Sequence, residues 1–511
     1  MRISKTVTQL KVVPLLASAA TAFVAEAPAQ FLVNVTNRLR PALRSAKIQL
    51  LLNNISTCAL AHRSSAEQEF SKGNISAAIS LSKFSLQRKI LQSELEILKC
   101  HDLGLEKVDY TRPEEPRVLY LLTNSTPYTS SGYTQRSDAI MAEVKNQDIF
   151  IQAVTRLGYP ISVGKLASST TETNHGVVFH RLLPLTLPFN KLLRLKKTAE
   201  QVKQIAIENN ISIIHTTTDF KNGLVARSVA KSLGIPWIYE LRGEPENTWL
   251  SRQLKELHKS DPIRSENYRY RRSQETYFAT SADRVVALSK VSARKFVDRG
   301  VDSSKIIVVP NSIASSLASQ TFEKSLVRKT LGIPESRIVI GIISSLVDYE
   351  GVDDAIRAMA FLPVDHHLYV VGKGTAVPDL EKLVAAQNLG NRVTFVGAVS
   401  REDVLDWYAA CDVFLVPRKD TEVTRNVTPI KSLQAQALGI PVVASDLPAL
   451  REVTGGHALY CAPEDPYSLA ETIIQANAVD VIAASAFTQT RTWERSITKL
   501  IATYNEVLQN V

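Results

Sequence analysis

Val413-Phe414-Leu415-Val416-Pro417-Arg418-Lys419-Asp420 opens the stretch that decides the fold. Asn426-Val427-Thr428-Pro429-Ile430-Lys431 and Leu438-Gly439-Ile440-Pro441-Val442-Val443-Ala444 complete it. The apolar run 413–416 is too short for a helix and is stopped by Pro417, as a buried strand would be. A helix is predicted over about 432–438, ending at Gly439. The apolar run 442–444 follows and reads as a second strand. Strand, helix, strand in this order is a parallel βαβ unit. Upstream, the runs 338–343, 368–371 and 393–396 repeat the pattern. An earlier series does the same at 118–122, 211–214, 237–241 and 285–288. Two series predict an α/β protein with two doubly wound Rossmann-like domains, joined near Pro310-Asn311. The domain expectation is 116–310 and 311–480. Such folds bind ligands at the carboxyl ends of their strands, so chemistry is sought on the loops after each run.

Residues 1–115 are different. Glycine is scarce, and Ile75, Ile79, Leu86, Ile90 and Ile97 fall at helical spacing, which predicts an extra helical N-terminal region. Lys72-Gly73-Asn74 reads as the turn of a helical hairpin. The stretch 12–25, behind Arg2, Lys5 and Lys11, has the outline of a signal peptide but is too short to span a bilayer. An N-terminal helix is the other reading.

The chain has 511 residues, 45% hydrophobic and 22% charged, which excludes a disordered chain, a collagen and a coiled-coil rod. Four cysteines without C-x-x-C spacing argue against a disulfide scaffold and fit a reducing compartment. The net charge is +10. Residues 1–310 carry 43 Lys and Arg against 27 Asp and Glu, whereas residues 311–511 carry 17 against 23. A basic front part points to an anionic partner. Lys191-Leu192-Leu193-Arg194-Leu195-Lys196-Lys197 could lie on an anionic bilayer, or be an ordinary amphipathic helix. Tyr268-Arg269-Tyr270-Arg271-Arg272 mixes aromatics with arginine, but a solvated helix face is the expectation, and no nucleic-acid partner is predicted.

Three loops are candidates for chemistry. Thr123 to Tyr133 is a small-residue loop before a helix, and Ser131, Gly132 and Tyr133 could meet an anion there. Arg242, at the end of the run 237–241, could hold a phosphate or carboxylate bidentately, or pair with Glu244 or Glu246. Arg418, Lys419 and Lys431, beside a helix start, form the best anion site, fit for a diphosphate. G-x-G-x-x-G, Walker and G-x-S-x-G patterns are absent from the sequence. His366-His367 reads as a turn before a strand, and Asp353-Asp354 as a helix cap. No essential metal and no cofactor are expected.

Several of these stretches together resemble a known family. They are Ser131 to Arg136, Tyr239 to Gly243, Ala282 to Ser289, Val309 to Ile313, Ser345 to Gly351, Leu438 to Glu452, and Thr492-Trp493-Glu494. Their order over 117–511 resembles a retaining family-4 glycosyltransferase of the GT-B fold. The resemblance implies transfer of a sugar from a nucleotide-sugar donor held on the second domain to a glycan or lipid-linked acceptor on the first. It implies metal-independent, retaining chemistry that leans on stabilising the leaving diphosphate. It also implies C-terminal helices, 481–511, returning to the first domain. A cytoplasmic enzyme of polysaccharide biosynthesis, peripheral at the membrane, is the corresponding expectation. Donor contacts are implied at Ser345, Gly372, Lys373, Val399, Asn426, Val427, Thr428 and Gln434, and catalytic roles at Arg242, Arg418 and Lys419. The sequence departs from the family pattern where two glutamates are usual, with Asn426 and Gln434 in their places. The usual phosphate-binding Arg and Lys fall at Ser345 and Glu350, and the usual His of the first domain near Arg242. A weak or inactive homologue acting as a binding or assembly partner is therefore the alternative.

Overall fold

The computed structural model describes residues 2–39, 55–56, 58, 63–167, 169–256, 261–317, 320, 322–400 and 402–509. The helical expectation for 40–54 and 59–62 lies outside the described residues. The chain divides into two compact units. One is Met1–Val286 with Arg299–Lys305 and Ala502–Val511; the other is Ala287–Asp298 with Ile306–Ile501.

The first unit contains β1 (Arg117–Leu122), β2 (Phe150–Thr155), β3 (Thr171–Asn174), β4 (Val177–Arg181), β5 (Ile213–Thr217), β6 (Trp237–Leu241) and β7 (Arg284–Ala287). They lie in the order β3-β4-β2-β1-β5-β6-β7. Pairing is parallel from β4 through β6, while β3 is antiparallel to β4. After β8 (Ile306–Val308) the second unit builds a six-stranded sheet. Its strands are β9 (Ile338–Ile343), β10 (His366–Val371), β11 (Val393–Gly397), β12 (Val413–Val416), β13 (Val442–Ser445) and β14 (Leu459–Cys461). The order is β11-β10-β9-β12-β13-β14, all parallel. Apart from the edge hairpin, both sheets wind outward from their first strand and then reverse. The reversal falls between β1 and β5 in one unit and between β9 and β12 in the other. At such a switch point the flanking helices leave to opposite faces and open a crevice.

The central strands of the second sheet, β9, β10, β12 and β13, are buried on both faces. Val413 and Leu415 pack into one core with Ile340, Ile342, Leu368 and Val370. Phe414 and Val416 point the other way, into a core with Val339, Tyr369, Leu433 and Leu450. This alternation explains why the strands read as unbroken apolar runs.

Ahead of β1 lies a helical layer. Helices Ser65–Ser71 and Ile75–Leu81 form a hairpin turned at Gly73. The stripe from Ile75 to Ile97 does not lie on one helix. It is split between Ile75–Leu81 and Ser85–Ile97, because the chain turns extended at Ser82 and Phe84 while the apolar spacing runs on. The apolar stretch 12–25 lies within a helix, Arg2–Glu26, with Leu15 and Ala22 buried. Among the described residues no helix is long and apolar enough to cross a membrane. Tyr268 and Arg271 belong to helix Glu266–Ser281, and both turn to protein partners, Asn247 and Asn267.

His366-His367 is a correction. The pair is not a turn but the start of β10, fully buried. Its polarity is met by Asp365 and by Thr394 of the neighbouring strand, 2.8 Å away in each case. Asp353 and Asp354 also fall inside helix Val352–Ala358, whose cap is Gly351.

Candidate functional site

The switch point of the second sheet gathers three loops. The loop after β9 runs 344–351, the loop after β10 begins at Gly372, and the loop after β12 begins at Pro417. Backbone bonds tie them together. Leu346 N–H donates to Lys373 O (3.0 Å), Ser344 N–H to Val371 O (3.0 Å), and Lys419 N–H to Tyr349 O (3.1 Å). Glycines make the approach possible. A Cβ on Gly351 would overlap the carbonyl oxygen of Pro417, and one on Gly372 the carbonyl oxygen of Ser344. Both residues also adopt positive φ, 70° and 137°, which favours glycine. Ser345, Gly372 and Lys373 thus share this junction, and Val399 follows β11, whose Gly397 O accepts from Gly372 N–H (2.7 Å).

Charged side chains converge beneath these loops. Arg418 donates from Nε and Nη2 to the Glu350 carboxylate, 3.3 and 2.9 Å away, and from Nη1 to Val427 O at 2.8 Å. Lys431 Nζ reaches the same carboxylate and the Ser344 hydroxyl, the latter at 2.7 Å. Burial opposes ionisation of Glu350, but Arg418 and Lys431 outweigh it and hold its carboxyl down at about 2. Burial also draws the Lys431 ammonium below its ordinary range, against the support of Glu350. Two cations around one carboxylate leave an excess positive charge at the switch point.

The remaining expected donor residues are placed unevenly. Lys419 turns away from this group, pairing with Asp353 (2.9 Å) and Asp348 (3.4 Å). Asn426 ends the short helix Glu422–Asn426 and donates to Glu422 O at 2.6 Å. Thr428 O accepts from Asn311 (2.8 Å), while its hydroxyl is buried with no hydrogen-bond partner. Gln434 Oε1 accepts from the Tyr408 hydroxyl at 3.1 Å. Helix Lys431–Ala437 begins one residue before its expected start and has only two turns, so side-chain charge matters more here than helix dipole. Lys431 and Ser344 gain weight from the structure. Lys431 was visible as a cation near a helix start, but Ser344 gave no sequence signal.

In the first unit, Arg242 belongs to a buried network. Glu240 accepts from Arg136 Nε (2.6 Å), Arg242 Nη2 (2.8 Å) and the Tyr120 hydroxyl. Arg242 Nη1 donates to Tyr133 O (2.8 Å) and the Ser137 hydroxyl (2.5 Å). Its partner is thus Glu240, inside β6, rather than Glu244 or Glu246, because both side chains point into the same interior. Burial works against the charge of Glu240, but the two guanidinium groups hold its carboxyl far below the usual range. Ser131 caps helix Gly132–Asn146 by accepting from Thr134 N–H, and Gly132 and Tyr133 are exposed beside it. The structure therefore brings Arg242 and Tyr133 together, with the guanidinium fork closed on protein groups. At this sheet's switch point stands Arg156, which carried no sequence signal. Its Nη2 donates to Asn124 (3.3 Å), and its Nε is buried without an acceptor. Among the described residues no group of three or more His, Cys, Asp or Glu could hold a metal ion.

Comparison with known proteins agrees with this architecture. Residues 131–312 match the glycosyl transferase 4-like domain, and residues 337–478 match the glycosyl transferases group 1 family. Together the matches span more than half of the chain, which belongs to the GT-B glycosyltransferases of the family-4 type. A D-inositol 3-phosphate glycosyltransferase of Xylanimonas cellulosilytica is 29% identical over 189 residues, covering 35% of this chain and 44% of the relative. A GDP-mannose-dependent phosphatidylinositol monomannoside mannosyltransferase of Corynebacterium glutamicum is 33% identical over 160 residues, covering 30% and 41%. The chain thus spans less than half the length of these two relatives. Among solved structures, Anabaena HepE in complex with UDP and glucose superposes with a TM-score of 0.59 at 20% identity, covering 78% of this chain and 100% of that one. Sucrose-phosphate synthase of Thermosynechococcus elongatus gives 0.61 at 21% identity, covering 77% and 100%. At these identities the structural likeness shows the GT-B fold.

Proposed function

We propose that the chain transfers a sugar from a nucleoside-diphosphate donor to a glycan or lipid-linked acceptor, with retention at the anomeric carbon and without a metal ion. The observation that carries this reading is the Arg418–Glu350–Lys431 group at the switch point of the second sheet. It offers an excess positive charge where an α/β sheet of this winding binds its ligand. The donor's diphosphate lies against Arg418 and Lys431. The bond from the anomeric carbon to the diphosphate oxygen breaks, and a bond to the acceptor oxygen forms. The acceptor's proton passes to the departing diphosphate oxygen. Fixed cations aimed at the developing charge do here what a metal ion does in other transferases. Gly372, Lys373, Val399, Val427, Thr428 and Gln434 line the donor's remaining contacts. Arg242 is read as a positioning residue that fixes the Ser131–Gly132–Tyr133 loop for the acceptor.

Nucleotide-sugar donors place the reaction in the cytoplasm. A lipid-linked acceptor places it at a membrane surface, with the exposed Leu185, Phe189, Leu193, Lys196 and Lys197 turned to anionic lipid. Relatives named for inositol phosphate, phosphatidylinositol mannoside and lipopolysaccharide core support such acceptors. One observation favours a second reading, a weak or inactive homologue. Asn426 and Gln434 carry no charge, and both are bonded to protein atoms.

Calorimetric titration with UDP, GDP and ADP tests the first reading. Binding of one nucleotide, weakened in Arg418→Ala and in Lys431→Ala, is the expected result. Binding of none would leave the inactive homologue.

A further inference from the structure

Glu350 stands where the family resemblance calls for a phosphate-binding lysine. A carboxylate at that place repels a diphosphate unless its charge is used for something else. Glu350 is 4% exposed and held ionised, and every group seen to bond its carboxylate is a cation of the site. We propose that Glu350 is a positioning residue for the donor, clamping Arg418 and Lys431 into one fixed pair that receives the diphosphate. The inference rests on the donor-site reading above.

Three features support it. First, each cation is held at two points. Arg418 is fixed by Glu350 and Val427 O, and Lys431 by Glu350 and the Ser344 hydroxyl. Neither side chain needs to search for its bound conformation, so less order must be gained on binding. Second, donors remain. A guanidinium has five N–H groups and an ammonium three. Glu350 and Val427 take three from Arg418, and Glu350 and Ser344 take two from Lys431, so both cations keep N–H groups for phosphate oxygens. Third, Glu350 is fixed by the backbone. It precedes Gly351, which closes on Pro417, and Tyr349 O accepts from Lys419 N–H. The carboxylate and the loop bearing Arg418 are therefore one rigid piece. Lys419 takes no part, since Asp348 and Asp353 engage it.

The alternative is that Glu350 only offsets charge. The two ideas give opposite signs for Glu350→Gln. That change adds a positive charge to the site, so mere offsetting requires tighter diphosphate binding. Positioning requires weaker binding, by about tenfold, because the neutral amide cannot clamp two cations. A pH series adds a readout that general packing damage would not move. Lys431 faces Glu350 and Arg418, and Glu350 supports its charge while burial and Arg418 oppose it. Without Glu350 the ammonium loses its proton at lower pH, so the alkaline fall in affinity moves to lower pH.

The experiment is titration of the full chain, Glu350→Gln, Glu350→Asp and Lys431→Met with UDP, GDP and ADP across pH, with a thermal melt of each variant. The expected result is weakened binding in Glu350→Gln with an alkaline limb at lower pH. Glu350→Asp should fall between it and the unaltered chain. In a Lys431→Met background the loss from Glu350→Gln should shrink. Undiminished or tighter binding in Glu350→Gln, or an unmoved alkaline limb, overturns the inference while the donor reading stands. No binding to the unaltered chain overturns both. Should Glu350→Gln lose its cooperative melt, Glu350→Asp decides, and affinity equal to the unaltered chain overturns the clamp.

Discussion

Arg418 and Lys419 are neighbours in sequence with different commitments. Arg418 is turned into the switch point with Glu350 and Lys431, whereas Lys419 is paired with Asp348 of the loop after β9 and Asp353 of helix Val352–Ala358. Their substitutions should separate. Arg418→Ala is expected to cost about 2.7–4 kcal/mol of transition-state stabilisation, a fall of roughly 10²–10³ in kcat. Lys419→Ala is expected to cost less than about 1 kcal/mol, because its ion pairs lie outside the Glu350 group and are partly exposed. Steady-state kinetics of the two variants with the nucleotide sugar that binds would check this, and equal losses would put Lys419 back in the site. Gln434 is the next test. Its side chain accepts from Tyr408, a bond that a glutamate could also accept. Gln434→Glu should raise donor affinity in a site that has lost its charge, and lower it in one adapted to glutamine. The sequence made Arg418 and Lys419 look equivalent because charge and loop position are written in it, whereas the direction in which each side chain leaves the loop is not. Glu350 was legible only as a departure from a pattern. Its use depends on Lys431, 81 residues away.

Strands with long unbroken runs of Val, Ile and Leu were legible to within a few residues, and β6 was legible despite Glu240. Strands whose apolar run is short or opens on polar residues were missed in whole or in part. β2, Phe150-Ile151-Gln152-Ala153-Val154-Thr155, is broken by Gln152, whose Oε1 meets His180 of β4 at 2.8 Å. β10 opens with two histidines, one of them bonded to Thr394 of β11. In each case the polar group is satisfied by a neighbouring strand, and pairing between strands is not written along one of them. The loops obey a stricter rule. Gly351 has φ of 70° and no room for a Cβ against the Pro417 carbonyl. Gly351→Ala should therefore destabilise the chain by more than about 1 kcal/mol, since alanine strains positive φ and the backbone must also shift. The same shift would move Glu350 from Arg418. Thermal melting and nucleotide titration should fall together, and an unchanged melt would show that the β9 and β12 loops do not approach so closely.

At the scale of the whole molecule, the sequence separated a helical front from two α/β domains, but not the way that the front is fastened. Glu94, on helix Ser85–Ile97, collects Lys191 (3.0 Å), Lys221 (3.2 Å) and Arg271 (3.5 Å), one from each of three helices of the first α/β domain. Part of the positive excess of residues 1–310 is thus directed inward. The exposed part, including Lys196 and Lys197, remains for an anionic surface. Flotation with anionic vesicles at low salt is expected to carry the protein, and release it as salt screens the charge; an unbound protein at low salt would end the membrane proposal. Glu94 itself gives a stability prediction. Burial opposes its charge, but the three cations outweigh burial and hold its carboxyl well below the ordinary 4.5. A group whose pKa is depressed on folding stabilises the fold in full above its unfolded value, and this contribution is lost as pH falls toward the folded one. Glu94→Gln leaves three cations around a neutral amide, which should cost about 3–5 kcal/mol at neutral pH. The difference between the variant and the unaltered chain should be flat above about pH 5 and shrink as pH drops below 4.5. Denaturant titrations at several pH values measure it directly. A constant difference down the acid range would mean that Glu94 holds the helical layer by packing alone, and that its three cations find their counter-charge elsewhere.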